Sequence, residues 1–160
     1  MEKTYNPELI EAKFRDIWER GHYFSSQLNS NSQNAYSIVL PPPNVTGSLH
    51  MGHALNNSLQ DLLVRFYRMN GYETLWQPGT DHAGIATQAI VEKELSEKGI
   101  TKNQLGRKKF IEKVWKWKEE SGNQILNQLK KLGCSCDWSR NRFTMDKDLS
   151  KAVIKAFVKL

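Results

Sequence analysis

The chain has two cysteines in 160 residues, Cys134 and Cys136, too few for a disulfide framework. They also lie too close in sequence to bridge each other easily, and no second ligand pair completes a zinc site with them. Reduced thiols in a cytoplasmic protein, without a metal centre, are therefore expected. Long apolar runs are lacking as well. None approaches the roughly 20 residues of a membrane-spanning helix. The chain also does not open on the charged, apolar and small-residue succession of a secretory signal. A membrane role drops out of the reading. No internal repeat is visible, which removes solenoids and arrays. Acidic residues are the minority, 17 against 23 Lys and Arg, for a net charge of +6. That balance favours polyanionic ligands without requiring one. The 39% hydrophobic content suffices for the core of one modest domain.

What the chain does contain is concentrated in Pro41-Pro42-Pro43-Asn44-Val45-Thr46-Gly47-Ser48-Leu49-His50-Met51-Gly52-His53. Ser37 to Leu40, just before it, reads as a short apolar strand closed by prolines that cannot donate to a ladder. After it, Leu55, Leu59, Leu62, Leu63, Phe66 and Met69 recur at helical spacing, and Gly71 is the expected stop. The two histidines thus fall on a strand-to-helix turn, where the positive end of the helix dipole favours an anion. At positions i and i+3 both imidazoles can reach one ligand. Each can donate to a phosphate oxygen as charge develops on it. Gly52 between them leaves room for a base or ribose to approach the backbone.

The rest reads as α/β. Asn6-Pro7-Glu8 is a helix start, and Ile10, Phe14, Ile17 and Trp18 give that helix an apolar stripe. Residues 25 to 35 read as a surface loop. A strand near 37–40, a helix near 52–70 and a strand near 72–77 make a βαβ unit, so a parallel pair is expected. Helices follow near 84–98 and 104–132, the latter with Gly122 as an expected weak point. Its stripe runs through Phe110, Ile111, Val114 and Trp115, then Ile125, Leu129 and Leu132. The loops 41–53 and 77–84 both leave carboxyl ends of strands, where open parallel sheets bind ligands, and should face one another across a crevice. Asp81 in the second loop suits either pairing with an ammonium or capping the helix that begins near His82. Spacing alone leaves both open, and leaves His82 divided between structure and support of the site.

The block His50-Met51-Gly52-His53 resembles the HIGH motif of class I aminoacyl-tRNA synthetases. Its flank Pro41 to Gly47, together with Trp76-Gln77-Pro78-Gly79-Thr80-Asp81-His82-Ala83-Gly84-Ile85-Ala86-Thr87-Gln88, is similar to the valyl-tRNA synthetase branch. The likeness runs from Asn6 to Phe157 and beyond. It implies the first half of a Rossmann-type (HUP-like) parallel-sheet nucleotide-binding domain with N-terminal and additional helices. Residues 1–36 would be an N-terminal helix and loop, and 37–160 the N-terminal half of the catalytic domain, cut before the editing insertion. It implies ATP-dependent activation of valine and transfer to tRNA(Val), with ATP as substrate and Mg2+ sharing its charge. His50 and His53 become catalytic. Thr46, Gly47, His50, Gly52, His53 and Asn56 line ATP, and Pro42, Asn44 and Asp81 hold valine. Thr46 or Ser48 alone reads equally well as a helix cap.

The resemblance also implies a KMSKS loop in the other half, and no stretch of this chain matches it. Leu149, Val153, Phe157 and Leu160, with Ile154 and Val158, trace an apolar stripe that stops without cap or polar tail. We expect an N-terminal fragment, from a truncated reading frame or a partial clone, whose partners are valine, tRNA(Val) and the remaining C-terminal portion. Two readings stay open: a half-domain catalytic once completed, and a non-catalytic fragment with residual ATP or valine binding. A small HxGH nucleotidyltransferase is a third, which leaves the 79–88 block unaccounted for. Trp115 and Trp117, among Lys113, Lys116 and Lys118, read as packing, with Trp115 in the core, rather than as a stacking patch. Lys130, Lys131, Arg140 and Arg142 read as a solvated face.

Overall fold

A computed structural model describes residues 4–27 and 34–160. Part of the expected 25–35 loop, residues 28–33, lies outside the described residues. The elements are α1 (Pro7–Arg20), β1 (Ala35–Val39), α2 (Met51–Met69), β2 (Glu73–Gln77), β3 (Gly79–Thr80), α3 (Gly84–Glu97), α4 (Lys102–Leu105), α5 (Arg107–Lys131), a 3-10 turn (Trp138–Arg140), β4 (Arg142–Phe143) and α6 (Lys147–Lys159). They fall into two compact units, each assembled from three stretches of chain. The first takes residues 1–40, 51–78 and 127–141; the second takes 41–50, 79–126 and 142–160.

In the first unit β1 and β2 run parallel, as the βαβ pattern predicts, in register from Ala35 opposite Glu73 to Val39 opposite Gln77. Asn6 caps α1 by accepting from the Glu8 amide at 3.1 Å, with Pro7 at its first position. Gly71 stops α2 with φ +81°. Bonds from Gly71 N to Arg68 O and from Tyr72 N to Tyr67 O, both 3.1 Å, close a Schellman end.

The inward face of α2 is the unexpected one. It carries Asn57, Gln60, Asp61, Val64, Arg65 and Arg68, a helical spacing of mostly polar residues. Four of the polar groups have partners that hold them there. Gln60 accepts from the Trp76 indole at 3.0 Å, and Asp61 accepts from Ser135 N at 2.8 Å and Ser135 Oγ at 2.6 Å. Arg65 donates to Gly133 O at 2.8 Å, and Arg68 to Ser135 Oγ at 3.2 Å. The leucine stripe that announces the helix lies on the other side, exposed from Leu55 to Met69.

Asp137, 1% exposed, is held by Arg140 at 3.0 Å and by the Ser26 amide at 3.0 Å. Lys130 pairs with Glu19 at 3.2 Å. These two cations are half-buried in ion pairs and are not the solvated face expected of them, whereas the Arg142 side chain pairs with exposed Asp148 at 3.7 Å. Cys134 and Cys136 are free and buried.

The second unit packs α3 on α5 through Val91, Leu95 and Phe110, with Leu105, Val114 and Trp117 against them. The expected helix 104–132 is broken at Gly106, φ +80°, and then runs without interruption through Gly122 to Lys131. Its buried line is Phe110, Trp117, Ser121, Gly122, Ile125 and Leu129. Trp117 therefore takes the place expected of Trp115: its indole donates to Val45 O at 2.7 Å, while Trp115 is 42% exposed. Bulk drew the expected stripe to Ile111 and Trp115, one step round the helix from the residues that pack. The apolar side chains of α6 are exposed from Val153 to Leu160.

Candidate functional site

The parallel pairing of the first unit extends one residue past its strands, Leu40 N donating to Gln77 O at 3.0 Å. Within the second unit the following residues also run side by side. Asp81 N donates to Pro43 O at 2.8 Å and Val45 N to Asp81 O at 2.9 Å, an isolated parallel bridge between Asn44 and Asp81. The two loops expected across a crevice are thus joined at this point by backbone bonds. Pro43 and Val45 turn inward, while Pro42 and Asn44 are exposed. Beside them β3 pairs with β4, Gly79 opposite Arg142 and Thr80 opposite Phe143. A Cβ on Gly79 would sit 2.9 Å from the Arg142 carbonyl oxygen. Glycine there permits the close approach of β4.

That approach brings Thr144 onto the acidic end of β3. Its amide donates to Thr80 O at 3.1 Å. Its hydroxyl donates to Asp81 Oδ1 at 2.9 Å, accepts from the His82 amide at 2.9 Å and lies 2.7 Å from His82 Nδ1. His82 Nδ1 is itself 3.1 Å from Asp81 Oδ1, and the two side chains retain 44% and 34% exposure, so a ligand can reach them. Asp81 does not cap α3. The cap position is Ala83, at φ 41° and ψ 52°, with no side-chain bond. Thr87 Oγ1 secures this turn by donating to His82 O at 2.7 Å. The capping alternative for Asp81 is thereby removed, and His82 emerges as a neighbour of its carboxylate, joined to it through the Thr144 hydroxyl. His82 also lines a cavity of about 540 Å³ floored by Phe110, Val114 and Phe143. Sequence reading missed Thr144, and its only signal is a β-branched residue following the short strand Arg142–Phe143.

His50 is the last residue before α2, and Gly52 and His53 lie in its first turn. His50 and Gly52 are exposed and His53 half-buried. Thr46 and Gly47 are half-buried in the approach to the helix. Ser48 accepts from Gln124 Nε2 at 2.9 Å, and Asn56, one turn into α2, accepts from Gln60 Nε2 at 2.5 Å. Among the described residues no three His, Cys, Asp or Glu side chains converge to hold a metal ion. These residues do not fit a protein cage for magnesium. No described helix is long and apolar enough to cross a membrane.

The chain belongs to the class I tRNA synthetases (I, L, M and V), the family that matches residues 13–160. Its similarity within the family is to proteins named valine–tRNA ligase. The one from Pelagibacter ubique is 69% identical over 151 residues, which are 94% of this chain and 17% of that protein. The one from Geobacter sulfurreducens is 61% identical over 158 residues, 99% of this chain and 18% of that protein. The chain therefore spans less than a fifth of the length of these relatives. In fold it is similar to the leucyl enzyme of an Agrobacterium radiobacter LeuRS–tRNA–LeuAMS complex, with TM-score 0.77 at 21% identity, over 98% of this chain and 18% of that one.

Proposed function

We propose that this chain supplies the HIGH-motif half of a valine-activating site, serving translation in the cytoplasm as part of a valine–tRNA ligase. The observation that carries the reading is Asp81. A partly exposed carboxylate, held on Oδ1 by Thr144 and beside His82 at the end of β3, suits a charge-assisted bond to the ammonium of an amino acid. Pro42 and Asn44, on the strand extension bridged to Asp81, would line the same substrate. His50 and His53, with Thr46, Gly47, Gly52 and Asn56, would receive ATP at the start of α2.

The reaction has two steps. The valine carboxylate attacks the α-phosphorus of ATP, the α–β bridge breaks, and pyrophosphate leaves with valyl-adenylate formed. A terminal ribose hydroxyl of tRNA(Val) then attacks the activated carbonyl and releases AMP. The histidines' part is to donate to phosphate oxygens as negative charge grows, and Asp81's is to hold the amine so that the carboxylate meets phosphorus. Magnesium would supply charge neutralisation on the phosphates and would arrive with ATP, since the described residues form no cage for it. The test is valine-dependent exchange of pyrophosphate into ATP by this chain joined to the remaining length of a relative. Exchange with valine, absent with no amino acid and abolished by Asp81→Asn, is expected. Valine-dependent exchange unaffected by Asp81→Asn would refute the assignment.

A further inference from the structure

We propose that Thr144 is a positioning residue, whose hydroxyl fixes the Asp81 carboxylate in one rotamer and holds His82 with its proton on Nδ1. The functional consequence rests on the reading of Asp81 as the ammonium partner; the arrangement itself rests on hydrogen-bond bookkeeping. A threonine hydroxyl has one proton to give and two lone pairs to receive with. Here it meets three groups: Asp81 Oδ1 at 2.9 Å, the His82 amide at 2.9 Å and His82 Nδ1 at 2.7 Å. The amide can only donate, so it takes one lone pair.

Two assignments of the remaining proton and lone pair can be compared. If the hydroxyl donates to a bare Nδ1, its oxygen faces the ionised Asp81 Oδ1 with no proton between them. Nδ1 then also faces Oδ1, at 3.1 Å, again acceptor against acceptor. If instead the hydroxyl donates to Asp81 and Nδ1 carries a proton, the hydroxyl's three contacts each pair a donor with an acceptor, and Oδ1 faces a protonated Nδ1 and not a second acceptor. The hydroxyl's capacity is then fully used. Thr144 donates to Oδ1 and His82 Nδ1 lies beside that oxygen, so Oδ2 is the oxygen assigned to the ammonium.

The hydroxyl is well anchored for this task. Threonine is stiff at χ1, and Thr144 is tied to β3 by its own amide. The turn behind it is closed by Asp146, which accepts from Phe143 N at 3.0 Å through Oδ2 and donates from its amide to Phe143 O at 2.8 Å. A carboxylate aimed before substrate arrives loses less rotamer freedom on binding.

The experiment is NMR on the isotope-labelled chain in alkaline buffer, with valine titrated by calorimetry into the chain joined to the remaining length of a relative. Long-range ring correlations should show His82 protonated at Nδ1 and not at Nε2. Three-bond couplings to the Asp81 carboxyl carbon should report one χ1 rotamer in the parent and in Thr144→Ser, and averaging in Thr144→Val. Valine Kd should rise roughly 3- to 15-fold in Thr144→Val and recover in Thr144→Ser, as for one lost hydrogen bond. Thr144→Ala serves the same comparison if the valine variant misfolds. A parent His82 protonated only at Nε2, or a single Asp81 rotamer surviving in both Thr144→Val and Thr144→Ala, would overturn the proposal. A parent that gives the expected couplings but, joined to the remaining length of a relative, binds no valine would uphold the role of Thr144 and sink the amino-acid reading of Asp81 instead.

Discussion

A donor that is in place before charge develops costs no reorganisation when the charge arrives. The role proposed for His50 and His53 rests on their place where α2 begins. If each donates to the triphosphate, His50→Ala or His53→Ala in the chain completed by a relative's remainder should slow adenylate formation by roughly 10²–10³; unchanged rates would remove that role. The cysteines illustrate the opposite case, residues made inert by their surroundings. Burial, with the Asp61 carboxylate adding to it, pushes the Cys134 thiol from 9.0 up to about 12, and burial likewise raises Cys136. Alkylation needs the thiolate, so a thiol reagent at mildly alkaline pH should label neither until the chain is unfolded. Because the folded pKa is raised, the unfolded state loses its proton first. Stability from this source is complete below about 9 and drains away as pH climbs towards about 12,. A denaturation midpoint that rises with pH across that window would contradict it. At this scale the sequence reveals groups that stand in consecutive motifs, such as Asp81 and the histidine pair. It hides Thr144, because nothing local marks a hydroxyl that meets its carboxylate 63 positions away.

Elements were legible wherever a local device sets them. The Asn6-Pro7 start, the Gly71 stop and the parallel pairing of β1 with β2 all follow from capping, φ > 0 at glycine and the βαβ rule. Periodicity misleads where bulk is taken for burial. In α5 the buried line passes through Trp117 and Gly122, and the break falls at Gly106. The two glycines should therefore respond oppositely to alanine. At Gly106, φ +80° is a conformation that alanine adopts only with strain, so Gly106→Ala should cost about 1 kcal/mol or more. At Gly122 an added Cβ meets Val45 Cγ1 at 3.8 Å, an ordinary contact. Gly122→Ala should be neutral or should stabilise by up to about 1 kcal/mol through helix propensity. Chemical denaturation of both variants gives the comparison, and a Gly122→Ala loss larger than that of Gly106→Ala would mean that the hinge lies where periodicity suggested.

Over the whole molecule, many of the side chains that plainly signal a core on α2 and α6 are ones that solvent reaches. Leu59 is 57% and Leu62 65% exposed on α2, and Phe157 is 81% exposed on α6. Period alone shows that a helix has two faces; it does not say which face the neighbouring elements cover. In α2 the covered face is won by hydrogen bonding. Gln60, Asp61, Arg65 and Arg68 each satisfy a buried or half-buried partner, whereas leucines there would leave the Trp76 indole and the Ser135 amide unpaired, at about 1–3 kcal/mol each. Contiguous exposed apolar side chains promote association, so the purified chain should enhance the fluorescence of an apolar dye and self-associate as concentration rises. Leu59→Gln combined with Leu62→Gln should reduce both effects and leave thermal stability within about 0.5 kcal/mol of the parent, as exposed substitutions do. Dye fluorescence, light scattering and a melting curve on the same two samples decide it. A loss of several kcal/mol from the double variant would place those leucines inside the fold, and the polar inward face of α2 could not then stand.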